Sequence, residues 1–472
     1  MENYKIEKNV LTWINPELNL LCVPESVKEI APNCMEPNSK LENIIFPSTL
    51  FMVRVGAFKH QNLKSVYFKG TCKYIQDEAF ANNPNLSIIE MPTNLASVGN
   101  FAFEKCFSLE EINFKSDVLI NVKAFAECKK LKKINFDKVV GISPHAFESC
   151  GFEEVAISNL DFDKYIVGDA AFINNVNLKK VSITSPDTVL SLMVFAGCSS
   201  LKELDLTGVK LINNNCFANT GLETVYVPQT KIMEAAFSGC NKLKNFTVNT
   251  DTFNLKVLND SRNIENLFIN AKVVTDPGFK MDYQFKNVYA SPQLEDLQNL
   301  PFSGGCTIDT LNLAQSKIEF LAMKDFASAK INNLFLPHKV TLLPDGVFFN
   351  TTINNLFITS DEIKVLRNFS GNWSEINNII ITSENFVIDS ENLGNLIRSG
   401  AENIYVNDCA LKNVKMVLNE MMFKPSHETL WPGITGIKLK PMSELLNATG
   451  FRLENRINNM LYPYPKGEED DR

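Results

Sequence analysis

Four histidines and 11 cysteines are the side chains best suited to hold a metal or attack a substrate, and their spacing argues against both uses. His60, His145, His338 and His427 lie far apart, and none has a Glu or Cys at metal-ligand spacing. His427-Glu428 lacks the second histidine of an H-E-x-x-H helix. There is no G-x-S-x-G, no P-loop and no G-x-G-x-x-G, and Gly304-Gly305 reads as a turn. Cys106, Cys128, Cys150, Cys198 and Cys240 each fall three residues after a Phe. They form one column of a recurring pattern and are expected to be small, partly buried fillers. With Cys22, Cys34, Cys72, Cys216, Cys306 and Cys409 they make an odd total without a Cys-x-x-Cys pair, which suits reduced thiols. Glu90, Glu111, Glu203 and Asp205 read as solvated charge rather than an acid-base pair. The expectation is a protein that is not an enzyme and uses no cofactor or metal.

The elements that carry these residues repeat at intervals of about 22 residues. Leu201-Lys-Glu-Leu204-Asp-Leu206 has counterparts at Leu63–Phe68, Leu109–Phe114, Leu131–Phe136, Leu243–Val248, Ile331–Leu336 and Ile353–Ile358. An Ala-Phe anchor precedes most of them, as at Ala57-Phe58, Ala79-Phe80, Ala102-Phe103, Ala124-Phe125 and Ala146-Phe147. Five residues before each Phe stands an aliphatic, among them Val53, Ile75, Val98, Ile120 and Ile142. A period of this length built on L-x-x-L-x-L marks a leucine-rich-repeat solenoid. No turn can bury its four or five inward residues alone, so neighbouring turns must stack. About 17 turns at 4.8 Å per strand predict a parallel sheet on the order of 80 Å long on one face, with right-handed crossovers.

The spacing A-F-x-x-C-x-x-L-x-x-[VI]-x-[ILF], complete in Ala124–Phe136, resembles the BspA-like leucine-rich repeats. The resemblance covers roughly residues 20–407, degrading between about 250 and 305 and again after 360. That family occurs in bacterial surface proteins and some protists, and the resemblance implies an adhesin or interaction module rather than an enzyme.

The boundaries expected are an N-terminal cap over 1–20, a solenoid over 21–407, and a helical cap with an acidic tail over 408–472. Leu411, Val414, Val417, Leu418 and Met421 have helical spacing, and Pro432-Gly433 breaks the chain. A second helix is expected from Ser443 to about Met460, with Leu445, Leu446, Phe451, Leu453 and Ile457 inward. Glu468–Asp471 reads as a solvated terminus. A net charge of -8 over 46 basic and 54 acidic residues argues against a nucleic-acid footprint. No window of 18 apolar residues is present, so membrane insertion is not expected. The first residues lack a basic segment followed by an apolar run, which predicts a cytosolic protein, with the cell surface or secretion as the alternative.

Function in such a coil belongs to the outward strand positions. That column is mostly polar or small through its first half. It becomes Phe268, Tyr289, Phe335, Phe357, Ile380 and Tyr405 in its second, with Asn312 the exception. These six are the candidate partner-binding residues, because a contiguous apolar stripe marks an interaction site. The competing reading is a cross-strand ladder covered by the C-terminal helices. Beside it run Asn245, Asn266, Asn287, Thr310, Asn333, Asn355, Asn378 and Asn403, expected to bond into an amide ladder. The expected function is a scaffold binding a protein, with a peptide or glycan also suited to the face. An adhesin and a structural part of a larger assembly are the alternatives, and the oligomeric state is left open.

Overall fold

A computed structural model describes residues 3–158, 166–276, 283–423 and 438–449. The chain forms two units, one running to Leu267 and the other from Phe268. Both are parallel β-coils, together about 17 turns.

In the first unit the continuous sheet is built from the aliphatic column that precedes Ala-Phe. An antiparallel hairpin, Tyr4–Glu7 with Val10–Ile14, opens it. Parallel strands follow at Glu29–Ile30, Met52–Val53, Tyr74–Ile75, Ser97–Val98 and Val118–Ile120, onward to Lys231–Ile232, twelve strands in all. Val53, Ile75, Val98 and Ile120 are in register, and all are buried.

Each strand then turns through Ala-Phe with two residues in the left-handed region, one two positions before the Phe and one two after. Glu78 and Asn82 (φ 56° and 57°) flank Phe80, and Lys123 and Glu127 (φ 53° and 60°) flank Phe125. Non-glycine residues adopt this region at some cost. Here the conformation alternates the peptide directions, so that each Phe N–H reaches the Ala carbonyl of the following turn: Phe80 to Ala102 at 2.8 Å, Phe125 to Ala146 at 2.9 Å. The rings follow the same ladder. Phe103 and Phe125 stack at 5.2 Å and 3°, and comparable contacts run unbroken from Phe58 to Phe237. Alanine beside each ring leaves room for this spacing.

The cysteine column is more than filling. The Cys128 thiol donates to the Phe103 carbonyl at 3.1 Å and Cys150 to Phe125 at 3.1 Å, each bonding the preceding turn. Asn83 serves Phe58, Asn175 serves Phe147, and Ser261 serves Phe237 (each 2.8 Å) in the same way. The position requires a small donor for a buried carbonyl, which explains why Cys, Asn and Ser interchange there.

The outward L-x-x-L-x-L strands of this unit do not form the single long sheet expected. As far as Glu203–Asp205 they pair in short groups, such as Leu20–Cys22 through Ile88–Glu90, then Glu111–Ile112 with Lys133–Ile134, and only from Thr224–Val227 onward do they enter a longer sheet. The first Leu of the motif has its N–H bonded back into the turn, as Leu109 to Cys106 and Leu131 to Cys128, so it is not available to a neighbouring strand.

In the second unit the outward limb is the continuous one. Strands Gln284–Ala290, Thr307–Asn312, Lys330–Phe335, Thr352–Ile358, Glu375–Ile381, Asn403–Val406 and Lys438–Pro441 pair in parallel. The turns close earlier, Ala329 on Phe326 and Thr351 on Phe348, so Ile331, Ile353 and Ile376 join the ladder. The other limb is reduced to pairs such as Leu342–Leu343 with Lys364–Val365.

Among the described residues three helices belong to this unit: α1 (Ser390–Ile397), α2 (Leu411–Phe423) and α3 (Met442–Thr449). The Asp389 side chain caps α1 by accepting from the Asn392 N–H, while Leu393, Leu396 and Ile397 face inward. The sequence reading did not anticipate α1, which lies where the repeat degrades. Leu446, Phe451, Leu453, Ile457, His427 and the acidic run 468–471 lie outside the residues whose side chains are described.

Candidate functional site

The outward face of the second unit places the six stripe residues in two settings. Phe268 and Tyr289 are half-buried and their rings stack at 5.2 Å and 16°. Phe335, Phe357, Ile380 and Tyr405 are in register on adjacent strands. Of the two expectations, an open stripe or a ladder covered by the C-terminal helices, the open one does not hold for these four, which are between 0% and 7% exposed. The Phe335 and Phe357 rings stack at 4.0 Å and 8°.

The chain's own C-terminal segment packs into this cluster. Lys438–Pro441 adds a parallel strand to Asn403–Val406. Helix α3 then sets Met442 into the cluster and packs Leu445 against it. Lys440 sits over the Tyr405 ring at 5.6 Å and pairs with Glu444 at 2.9 Å, tying strand to helix. The burial has a simple cause: a row of aromatics on a sheet is apolar surface, and a short helix with Met and Leu on one side removes it from water.

The amides beside the stripe form the expected ladder. Asn355 donates to Asn333 (2.9 Å), Asn378 to Asn355 (3.0 Å) and Asn403 to Asn378 (2.9 Å), while Asn266 donates to Asn245 (2.7 Å) in the first unit. A second ladder, missed from the sequence, runs one position earlier. Asn332 donates to Asp309 (2.7 Å), Asn354 to Asn332 (2.9 Å) and Asn377 to Asn354 (3.1 Å), and this one is exposed. Its signal was present in the repeated Ile-Asn-Asn at 331–333, 353–355 and 376–378.

At the same column the first unit carries charge. Lys132 and Lys179 flank Glu153 at 3.3 and 2.8 Å, and Lys64 meets Glu42 at 2.8 Å. The two lysines hold the Glu153 carboxyl below its ordinary range, through hydrogen bonds from Lys179 and then Lys132.

No catalytic arrangement is assembled among the carboxylates considered. Glu90 pairs with Lys115 (3.0 Å), Glu203 with Lys180 (3.5 Å), and Asp205 accepts from Ser182 (3.3 Å). His145 contacts Glu148 at 3.0 Å, and His338 bonds the Ala314 carbonyl at 2.8 Å. Among the described residues no three His, Cys, Asp or Glu side chains converge as a metal site. Burial pushes the Cys106 and Cys198 thiols up to about 12, so they stay protonated and unreactive. All 11 cysteines are unbridged. Among the described residues no helix is long and apolar enough to cross a membrane.

The chain matches the family described as BspA type leucine rich repeat region (6 copies) in seven overlapping stretches, from 4–132 to 306–398. Comparison with curated proteins finds no match. Among solved structures it is similar to a leucine-rich repeat protein from Bacteroides ovatus, at 14% identity and a TM-score of 0.40, over 93% of this chain and 97% of that one. The pneumococcal vaccine antigen PcpA matches at 17% identity and a TM-score of 0.40, over 62% and 92%. The Treponema protein described as T. pallidum leucine rich repeat protein matches at 18% and 0.25, over 51% and 86%.

Proposed function

The chain belongs to the BspA-type leucine-rich-repeat family, and we propose that it is a non-catalytic scaffold that binds a protein partner through the outward face of its second unit. The contacts begin at Phe268 and Tyr289 and continue over the exposed amides of Asn332, Asn354 and Asn377. Phe335, Phe357, Ile380 and Tyr405 join them once the C-terminal segment lifts.

The observation that carries this reading is the segment itself. An extended strand followed by a short helix already occupies the sheet edge and the stripe, the two ways in which sheet edges and apolar grooves bind peptides. Most helical stability in proteins comes from packing, and α3 buries Met442 and packs Leu445 against this cluster. Two such side chains contribute on the order of 3–6 kcal/mol. A partner segment offering more apolar area displaces it.

The test is capture from native extract. Met442→Asp/Leu445→Asp, which loosens the cover, should increase recovery of the partner, and Phe335→Ser/Phe357→Ser of checked stability should abolish it. Unchanged recovery with both variants removes the stripe from the binding surface.

The unbridged cysteines are compatible with a reducing compartment, which supports reading the scaffold as cytosolic. The adhesin alternative draws on the exposed amide ladder, whose outward N–H and C=O groups suit glycan hydroxyls as well as a peptide backbone. Labelling of intact cells with a membrane-impermeant reagent decides: a labelled protein overturns the cytosolic placement.

A further inference from the structure

Helix α1 takes the place of a limb strand next to Lys364–Val365. Its side-chain amides replace the missing backbone ladder: the Val365 N–H donates to Asn392 Oδ1 at 2.6 Å, and Asn395 Nδ2 donates to the Val365 carbonyl at 2.8 Å. A helix is about twice as thick as the distance between paired strands. Seating one against a strand edge through two amides therefore leaves a wedge beside it. That wedge is a cleft of about 960 Å³, within the range that takes a small molecule.

The charges lining the cleft are sorted by position. Asp389 and Glu391 stand at the start of α1, and Glu362 is bridged to Val387 just before it. Arg398 is at the other end of the helix, where it donates to Asn395 Oδ1 at 3.0 Å, and Arg367 and Lys364 line the cleft from the strand limb. Asp389 and Arg398 are separated by nine residues of helix, about 13 Å. That exceeds the screening length at physiological salt.

We propose that the Arg367–Arg398 end of this cleft binds a small dianionic oxyanion, a phosphate or dicarboxylate group. Two guanidiniums from different elements line this end of the cleft, a guanidinium fork suits an oxyanion, and Arg398 is held by its bond to Asn395. Burial, and then the Arg367 charge, holds Arg398 below the ordinary guanidinium range, a repulsion that a bound anion relieves.

Titration calorimetry of the full chain with inorganic phosphate, and separately with succinate, tests this and separates the two sources. Saturable binding of either is expected at low ionic strength. Arg367→Gln, at an exposed position, should weaken it at least about tenfold, the loss of one charge-assisted contact. Arg398→Lys should weaken it similarly, while Glu391→Gln at the far end should not. Heats no larger than those of chloride at matched ionic strength overturn the proposal, as does an Arg367→Gln protein that binds like the parent.

Discussion

In the first unit the unbroken sheet lies on the limb before Ala-Phe, while in the second it lies on the outward limb, and the two faces differ accordingly. The first turns through Ala-Phe and a donor at Cys. It stacks its rings from Phe58 to Phe237 and carries lysine-glutamate pairs outward. The second closes its turns earlier, lengthens its outward strands to six or seven residues, and carries amides and aromatics there. The Ala of Ala-Phe is replaced by Asp325 and Val347. A repeat can therefore move its hydrogen-bonded ladder from one limb to another without losing its period. What changes is the surface on offer: charged and open in one unit, amide-lined and partly covered in the other.

The sharpest way to break this contrast is to remove a ring from the regular stack. Phe125→Ala should destabilise the first unit by about 3–5 kcal/mol. Phe348→Ala should cost less, because its ring is tilted 31° from Phe326 and meets Phe369 edge-on. Hydrogen exchange resolved by segment reads each unit separately, and equal losses would deny that the stack distinguishes them.

Next in size is the amide ladder. Asn355→Ala takes away the donor to Asn333 Oδ1 and the acceptor of Asn378 Nδ2 and so cuts the ladder in two, a loss of about 1–3 kcal/mol by chemical denaturation.

Asp325 gives a smaller, pH-dependent effect. It is 2% exposed, its Oδ2 accepts the Ala322 N–H at 2.6 Å, and its other oxygen has no partner. Burial raises its pKa from 3.8 to about 6. The folded state thus holds a proton that the unfolded chain has released, and stability falls as pH rises between those values. Asp325→Asn should stabilise the protein above pH 6, by at most about 3 kcal/mol, with the gain vanishing as pH drops below 3.8. A gain independent of pH would show that charge is not the cause.

The smallest effect is expected from Glu153→Gln. Its pairs with Lys132 and Lys179 are exposed and screened by salt. Its folded pKa is lowered, so whatever the pairs contribute is present above the ordinary carboxylate range and lost as pH falls through the folded value. The melting temperature at neutral pH should be unchanged in moderate salt, and a clear drop would raise the charge ladder to the standing of the amide ladder.

Much of this was legible in the residues. The aliphatic column, the Phe anchor and the ladder through Asn333, Asn355 and Asn378 follow from side chains recurring at fixed intervals, because stacking turns brings equal positions together. The donor role of Cys128 was not legible, since a filler and a donor look alike until the facing carbonyl of Phe103 is placed. The ladder Asp309–Asn332–Asn354–Asn377 could have been read from the doubled Asn, had both been assigned to one strand.

By itself the sequence determined the coil, its inward columns and which side chains share the outward face, since these depend only on period and strand alternation. The tertiary structure decided which limb carries the continuous ladder, that α1 opens a cleft, and that Phe335, Phe357, Ile380 and Tyr405 lie beneath Met442 and Leu445. The reason is physical: a periodic pattern fixes contacts between equivalent positions in neighbouring turns. Contacts made by Asn392, Asn395, Met442 and Leu445 join segments that share no register, and only packing in three dimensions selects them.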